Sequence, residues 1–287
     1  MRTRRGLSTL VLLAPACLLF SLFVVYPLVR GIALSFYEWN GVDAKTWVGV
    51  DNYRELFADP VFATALANNF RWLCCYVAAP LLGFGLALLV NQRLPGMQLA
   101  RSLFFMPFVL SQVVVGLVFS WFFHSRFGLL NEILGGLGLA TVAPLDSERW
   151  SIYTMIVAGL WPQTAYCMIL YLTGLATLPR ELTDAARVDG ARRWSLLRYV
   201  VIPQLRPVHT IVFMVCAVAA LRSFDYVMIM TLGGPYDSST VLGYYMYEQT
   251  FLSQRYGYGA AIATVLLALM SCIVFALLWH LFYRERR

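Results

Sequence analysis

The chain has 287 residues, of which 60% are hydrophobic and only 13% charged, and its formal net charge is +7. A soluble domain carries about a quarter charged residues, so these proportions exclude an ordinary globular surface. The charge-free stretches are also long: Leu7–Val29, Trp72–Gln92, Ser102–Ser125, Trp150–Pro179 and Tyr256–Tyr283 contain no Asp, Glu, Lys or Arg.

About 20 apolar residues cross a bilayer as a helix, and lipid cannot satisfy the backbone groups of an open strand. The stretches therefore predict an all-α, polytopic transmembrane helical bundle with about six spans, forming a single transmembrane domain over 1–287. In chain order the first span is expected at about 7–29. Arg2, Arg4 and Arg5 give it the charged start of a signal peptide, but its apolar part is long and no A-x-A-like site follows, so it reads as a retained span. The next three are expected at about 70–92, 102–123 and 151–176. A fifth, 208–232, is interrupted by Arg222 and Asp225, and a sixth covers 257–283. The six cysteines all fall inside spans and read as small apolar packing residues. His124, His209 and His280 are too scattered to form a metal site.

With six spans both termini lie on one side, together with the loops near 93–101 and 180–206. That side has fourteen basic and four acidic residues, a net of +10. The opposite side has seven basic and ten acidic, a net of −3. The positive-inside rule then puts both termini in the cytoplasm. The overall charge is thus a topology signal and gives no reason to invoke nucleic acid.

The loop at 179–206 stands apart. Pro179 suits a helix start, and Leu182, Ala185, Ala186 and Val188 can line one side of a short helix. Gly190 can take the positive φ that ends it. A second helix is expected from Ala191 to about Val200, stopped by Pro203. From the residues alone, such a loop reads either as an amphipathic helix on lipid head groups or as a surface that another protein approaches at Ala185 and Ala186.

The spacing Asp184-Ala185-Ala186, Gly190, Val200-x-Ile202-Pro203 resembles the "EAA" loop, E-A-A-x3-G-x9-I-x-L-P, of ABC importer permeases, with Asp in place of the first Glu. Further pieces follow the same family in order: Tyr26-Pro27, Trp47-Val-Gly-Val-Asp-Asn-Tyr53, Phe127-Gly-Leu-Leu-Asn131, Phe224-Asp225 with Thr231-Leu-Gly-Gly-Pro235, Tyr244-Tyr-Met-Tyr-Glu248 and Tyr256-Gly-Tyr-Gly-Ala-Ala261. The set resembles the first permease of the carbohydrate-uptake group, the type related to the larger maltose permease but without its extra N-terminal spans and periplasmic domain. The resemblance implies a multi-pass protein of the bacterial inner membrane. It would form the path for a sugar or polyol with a second related permease, above two ATP-binding cassette subunits and below an external substrate-binding protein. In that family the loop is the coupling helix, which makes Asp184, Ala185, Ala186, Gly190 and Pro203 the ATPase-coupling residues. No cofactor is expected in this chain. It has no P-loop and its one lysine is Lys45, so ATP and Mg would be bound by the partner ATPase.

Polar groups inside spans are costly in lipid and face protein or water. On the fifth span, Arg222 and Asp225 lie three apart and so share a helix face, either as a structural ion pair near the external end or at the border of a substrate cavity. Cys216, Ala219, Ala220 and Ser223 follow helical spacing, as a packing stripe or a cavity wall. Trp161, Gln163 and Tyr166 precede the coupling loop on the fourth span. Aligned on that loop, Tyr166 matches a position whose aromatic hydroxyl contacts sugar in the maltose relative; a packing tyrosine is the other reading. The substrate-path candidates are therefore Tyr166, Gln163, Ala220, Ser223, Arg222 and Asp225. An intramembrane enzyme is disfavoured, since the spans hold no Ser/His dyad, aspartate pair or ligand cluster. A secondary transporter acting as a homo-oligomer is the alternative, although that mechanism usually needs a longer chain with internal repeats.

Overall fold

The computed structural model describes residues 12–92 and 94–285. The expected start of the first span at 7–11, the N-terminal arginines, Arg93, Arg286 and Arg287 lie outside the described residues. The helices are α1 (Leu12–Leu34), α2 (Asp51–Ala58), α3 (Pro60–Val90), α4 (Met97–Val109), α5 (Gln112–Phe122), α6 (Leu129–Gly136), α7 (Ser151–Ala176), α8 (Arg180–Val188), α9 (193–204), α10 (Arg206–Leu221), α11 (Phe224–Met230), α12 (242–252) and α13 (Tyr256–Glu285). Between α1 and α2 a short hairpin pairs β1 (Tyr37–Glu38) antiparallel with β2 (Thr46–Trp47), Tyr37 opposite Trp47. Among the described residues, α1, α3, α7, α10 with α11, and α13 are each long and apolar enough to cross a membrane. The bent pair α4 and α5 passes the same test only when counted together, which brings the number to six.

Three local departures from the expected spans have physical causes. The third span is not one helix over 102–123: α4 and α5 meet at 94°. Leu110 and Ser111 are extended, with ψ of 140° and 149°, and the Ser111 hydroxyl accepts from the Val114 N–H at 3.3 Å, starting a new helix. The fifth span breaks at Arg222 and Ser223, between α10 and α11. The helix expected to stop before Pro203 instead runs through it to Gln204. Proline has no N–H and crowds the carbonyl four residues back. A wide turn at Leu197–Val201, in which the Ile202 N–H reaches the Leu197 carbonyl, relieves that crowding. The chain then reverses at Leu205, which is buried.

The contacts of the chain group into two compact units. The first comprises the residues up to Phe62 with Tyr245–Leu267. Here Asn52 donates to the carbonyls of Ser35 (2.8 Å) and Tyr37 (3.0 Å), and the Ser35 hydroxyl bonds the Tyr53 hydroxyl at 2.6 Å. Gly257 lies so close to the Tyr37 carbonyl that a Cβ has no room. Arg255 grips both oxygens of Glu55 at 2.6 and 2.7 Å and covers the Tyr258 ring. Asp59 accepts hydroxyl hydrogen bonds from Tyr245 and Tyr258.

The second unit, Ala63–Tyr244 with the chain from Ala268 onward, holds the bundle core. Small residues let α3 and α7 approach closely. A Cβ on Gly83 would meet that of Cys167 at 2.5 Å. Ala79, Ala87, Cys167, Met168, Tyr171, Val212 and Cys216 fill the seam between α3, α7 and α10. The Tyr171 hydroxyl and His209 Nδ1 are 2.9 Å apart across it. Asn68 and Asn69, both fully buried, hold the 231–241 loop: Asn68 donates to the carbonyls of Ser238 and Thr240 at 2.8 Å, and Asn69 accepts from the Leu242 N–H at 2.9 Å.

Candidate functional site

Five helices of the second unit and the end of α4 line an open cavity of about 730 Å³. Gln163 and Tyr166 reach it from α7, Phe108 from α4, Gln112 from the first turn of α5, Val218 and Ala219 from α10, and Val274 from α13. Arg222 and Asp225 border it at the break between α10 and α11. Tyr166 lies flat against Phe108, with ring centroids 4.5 Å apart and planes 7° apart. Gln163 donates to the Cys216 sulfur at 3.3 Å, which fixes its amide at the wall. The cavity thus offers one aromatic face, two carboxamides, a guanidinium and a carboxylate, the donors and acceptors that a polyhydroxylated ligand needs.

Of the expected path residues, Tyr166, Gln163, Arg222 and Asp225 come together here. Ala220 and Ser223 do not line the cavity; they are buried, at 0% and 2% exposure, on the packing side of the same segment. The ion-pair reading of Arg222 and Asp225 is not realised, because the helix that would have aligned them is broken between them and their side chains form no salt bridge.

At the other end of α7, Pro179 precedes α8, and α8 ends in a Schellman motif. The Ala191 N–H bonds the Ala186 carbonyl (2.9 Å), and the Gly190 N–H bonds that of Arg187 (3.0 Å). Gly190 has φ +86°, and no atom lies within 4 Å of where its Cβ would stand. Asp184 pairs with Arg187 one turn on, at 2.9 Å, with both side chains more than 60% exposed. Such a pair is worth at most about 1 kcal/mol. Leu182, Ala185 and Val188 are exposed and Ala186 is half-buried, so the helix presents apolar surface that none of the described residues covers. Beneath it, a cleft of about 680 Å³ is lined by Asn91, Leu175, Thr183, Asp184, Arg187 and Leu196 among others. Pro203 lies on α9 and does not itself line this cleft.

Residues 79–287 match the model of the family described as binding-protein-dependent transport system inner membrane component. The chain belongs to that family. It is a permease subunit of an ABC importer, a multi-pass inner-membrane component, and ATP hydrolysis is the work of a separate chain. The permease is 34% identical to the sulfoquinovosyl glycerol transport system permease of Agrobacterium fabrum, over 93% of this chain and 88% of that one. It is 32% identical to the multiple sugar-binding transport system permease of Streptococcus mutans, over 88% and 87%. Among solved structures, a bacterial ABC transporter that imports the acidic polysaccharide alginate shares the fold. Its matching chain has a TM-score of 0.85 at 22% identity, with both chains fully covered.

Several permease segments that resembled the family in sequence serve as loop fasteners. Asn131 donates to the carbonyls of Ser125 (2.9 Å) and Val142 (2.8 Å) and accepts from the Val142 N–H, closing the loop around α6. Thr231 and Ser239 join hydroxyls at 2.8 Å across the Gly233-Gly234-Pro235 turn. Sequence reasoning missed Phe108, Gln112 and Val218 as cavity residues. Gln112 had a signal: an amide directly after a serine in an otherwise apolar run. Phe108 and Val218 had none, because an apolar residue facing a cavity reads the same as one facing lipid.

Proposed function

We propose that this permease forms one half of the translocation path for a sugar or polyol, and that the cavity lined by Tyr166, Phe108, Gln163, Gln112, Arg222 and Asp225 is its substrate surface. The observation that carries the reading is the flat Tyr166–Phe108 stack beside two carboxamides and two charges. An aromatic face suits the C–H face of a sugar ring, and the amides and charges suit its hydroxyls. Relatives named for sugar transport give the reading further support. A second related permease supplies the other half, and two ATP-binding cassette subunits, which bind ATP and Mg, dock on α8 through Leu182, Ala185 and Val188. An external binding protein delivers the substrate. Both termini and the 180–206 loop lie in the cytoplasm, a placement supported by the charge difference between the two sides. The test of the path is ATP-driven uptake of a panel of neutral and acidic sugars by the reconstituted complex, wild type against Tyr166→Ala. Uptake of at least one sugar that falls in the variant is expected. Wild-type kinetics in Tyr166→Ala would remove this cavity from the path.

A further inference from the structure

The outer side of α9 has no role in the reading above. Arg192 and Arg193 open it, Trp194 follows at 69% exposure, and Arg198 precedes Tyr199 at 72% exposure. The Arg198 guanidinium lies 5.9 Å from the Tyr199 ring centroid. The opposite side is anchored through Val201, and the residue after the helix, Leu205, is buried too. The sequence holds no Asp or Glu between Asp189 and Asp225, so nothing in this segment neutralises the arginines.

The segment also has a defined depth. Arg198 and Tyr199 precede Arg206, the first residue of the membrane-spanning α10, by eight and seven residues. At about 1.5 Å per residue this is no more than about 12 Å of helix, and the reversal at Leu205 shortens it. Exposed Trp and Tyr belong at that depth, where an amphipathic ring has one wet and one apolar side. A guanidinium at that depth is able to bond a phosphate bidentately.

We propose that the outer side of α9 binds the headgroups of anionic phospholipids, with Arg193 and Arg198 on the phosphates and Trp194 and Tyr199 at the boundary with the acyl chains. This contact fixes the depth of α9, and so of the Gly190 corner from which α8 projects. It rests on the membrane placement that the family shows, not on the sugar reading.

The test places the whole complex in nanodiscs carrying brominated phosphatidylglycerol or brominated phosphatidylcholine, each over the same series of mole fractions. Bromine quenches tryptophan on contact, and the difference between wild type and Trp194→Phe isolates the Trp194 signal. Each arginine near an anionic surface contributes about a fivefold affinity. The Trp194 signal should therefore be quenched at several-fold lower mole fraction of the brominated phosphatidylglycerol. Arg193→Gln with Arg198→Gln should abolish that preference, as should raised salt. Equal quenching by both lipids, or a preference unchanged in the arginine variant, would overturn the proposal. So would no quenching by either lipid until the ATPase subunits are removed, because the face would then belong to the ATPase.

Discussion

At Tyr166 the sequence left two roles open, packing and path, and the two predict different outcomes for one substitution. The ring stacks on Phe108 at the cavity and is only half-buried. Tyr166→Ala should therefore remove a ring contact worth about 0.5–1.5 kcal/mol without opening a sealed core cavity. Complex yield should stay near wild type while uptake falls severalfold, as measured by transport kinetics on equal amounts of purified complex. Tyr166→Phe keeps the stack and isolates the hydroxyl. Arg222 and Asp225 were legible as unusual, because charge inside a span is costly. Their arrangement was not legible, because residue spacing assumes an unbroken helix. Asp59 gave no sequence signal: its two tyrosine donors are 186 and 199 residues away. Burial works against its charge. The hydrogen bonds from Tyr245 and Tyr258 and from the backbone N–H groups of Val61 and Phe62 outweigh burial and hold the carboxyl below the usual range. The folded value is thus depressed, so the stabilisation is present above the unfolded carboxylate value, about 3.9, and lost as pH falls through the lower folded value. Tyr245→Phe should raise the Asp59 value and move that acid loss to higher pH, readable as a shifted acid arm in thermal unfolding of the complex.

At the scale of elements, the loop between α7 and α10 was readable down to its corner, because glycine at a helix end with charge before it has one common solution. Gly190 at φ +86° ends α8, and its Cβ direction is open. Any cost of substitution is therefore backbone cost alone, about 1–2 kcal/mol for an L-residue in the left-handed region. Gly190→Val should leave the permease inserted and assembled but lower the ratio of sugar carried to ATP hydrolysed. Gly190→Asn, which tolerates that region, should restore most of the ratio. Normal coupling in Gly190→Val would show that the corner does not position α8. The bend in the third span was less legible. A hydropathy run does not register Ser111, which contributes one hydroxyl to an apolar stretch yet caps a new helix there. Ser111→Ala should cost about 1 kcal/mol, measurable as a lower unfolding temperature of the purified permease complex.

For the whole molecule, the fold class was written in composition, since a chain this poor in charge and this rich in long apolar runs can satisfy its backbone in lipid only as helices. The division of its contacts into two units was not, because Tyr245–Leu267 joins the N-terminal residues across nearly the full chain length. Nor does the exposed apolar surface of α1, α4 and α13 distinguish lipid from a second subunit, since both are apolar neighbours. We propose a sugar path beside Tyr166 in this importer permease. The measurement that addresses it most directly is labelled-sugar accumulation in proteoliposomes holding the purified complex, with the binding protein outside and ATP inside. The account predicts accumulation that needs ATP, the binding protein and this chain together, and that Tyr166→Ala depresses. Sugar accumulation driven by an ion gradient without ATP or the binding protein, by this chain alone, would contradict it.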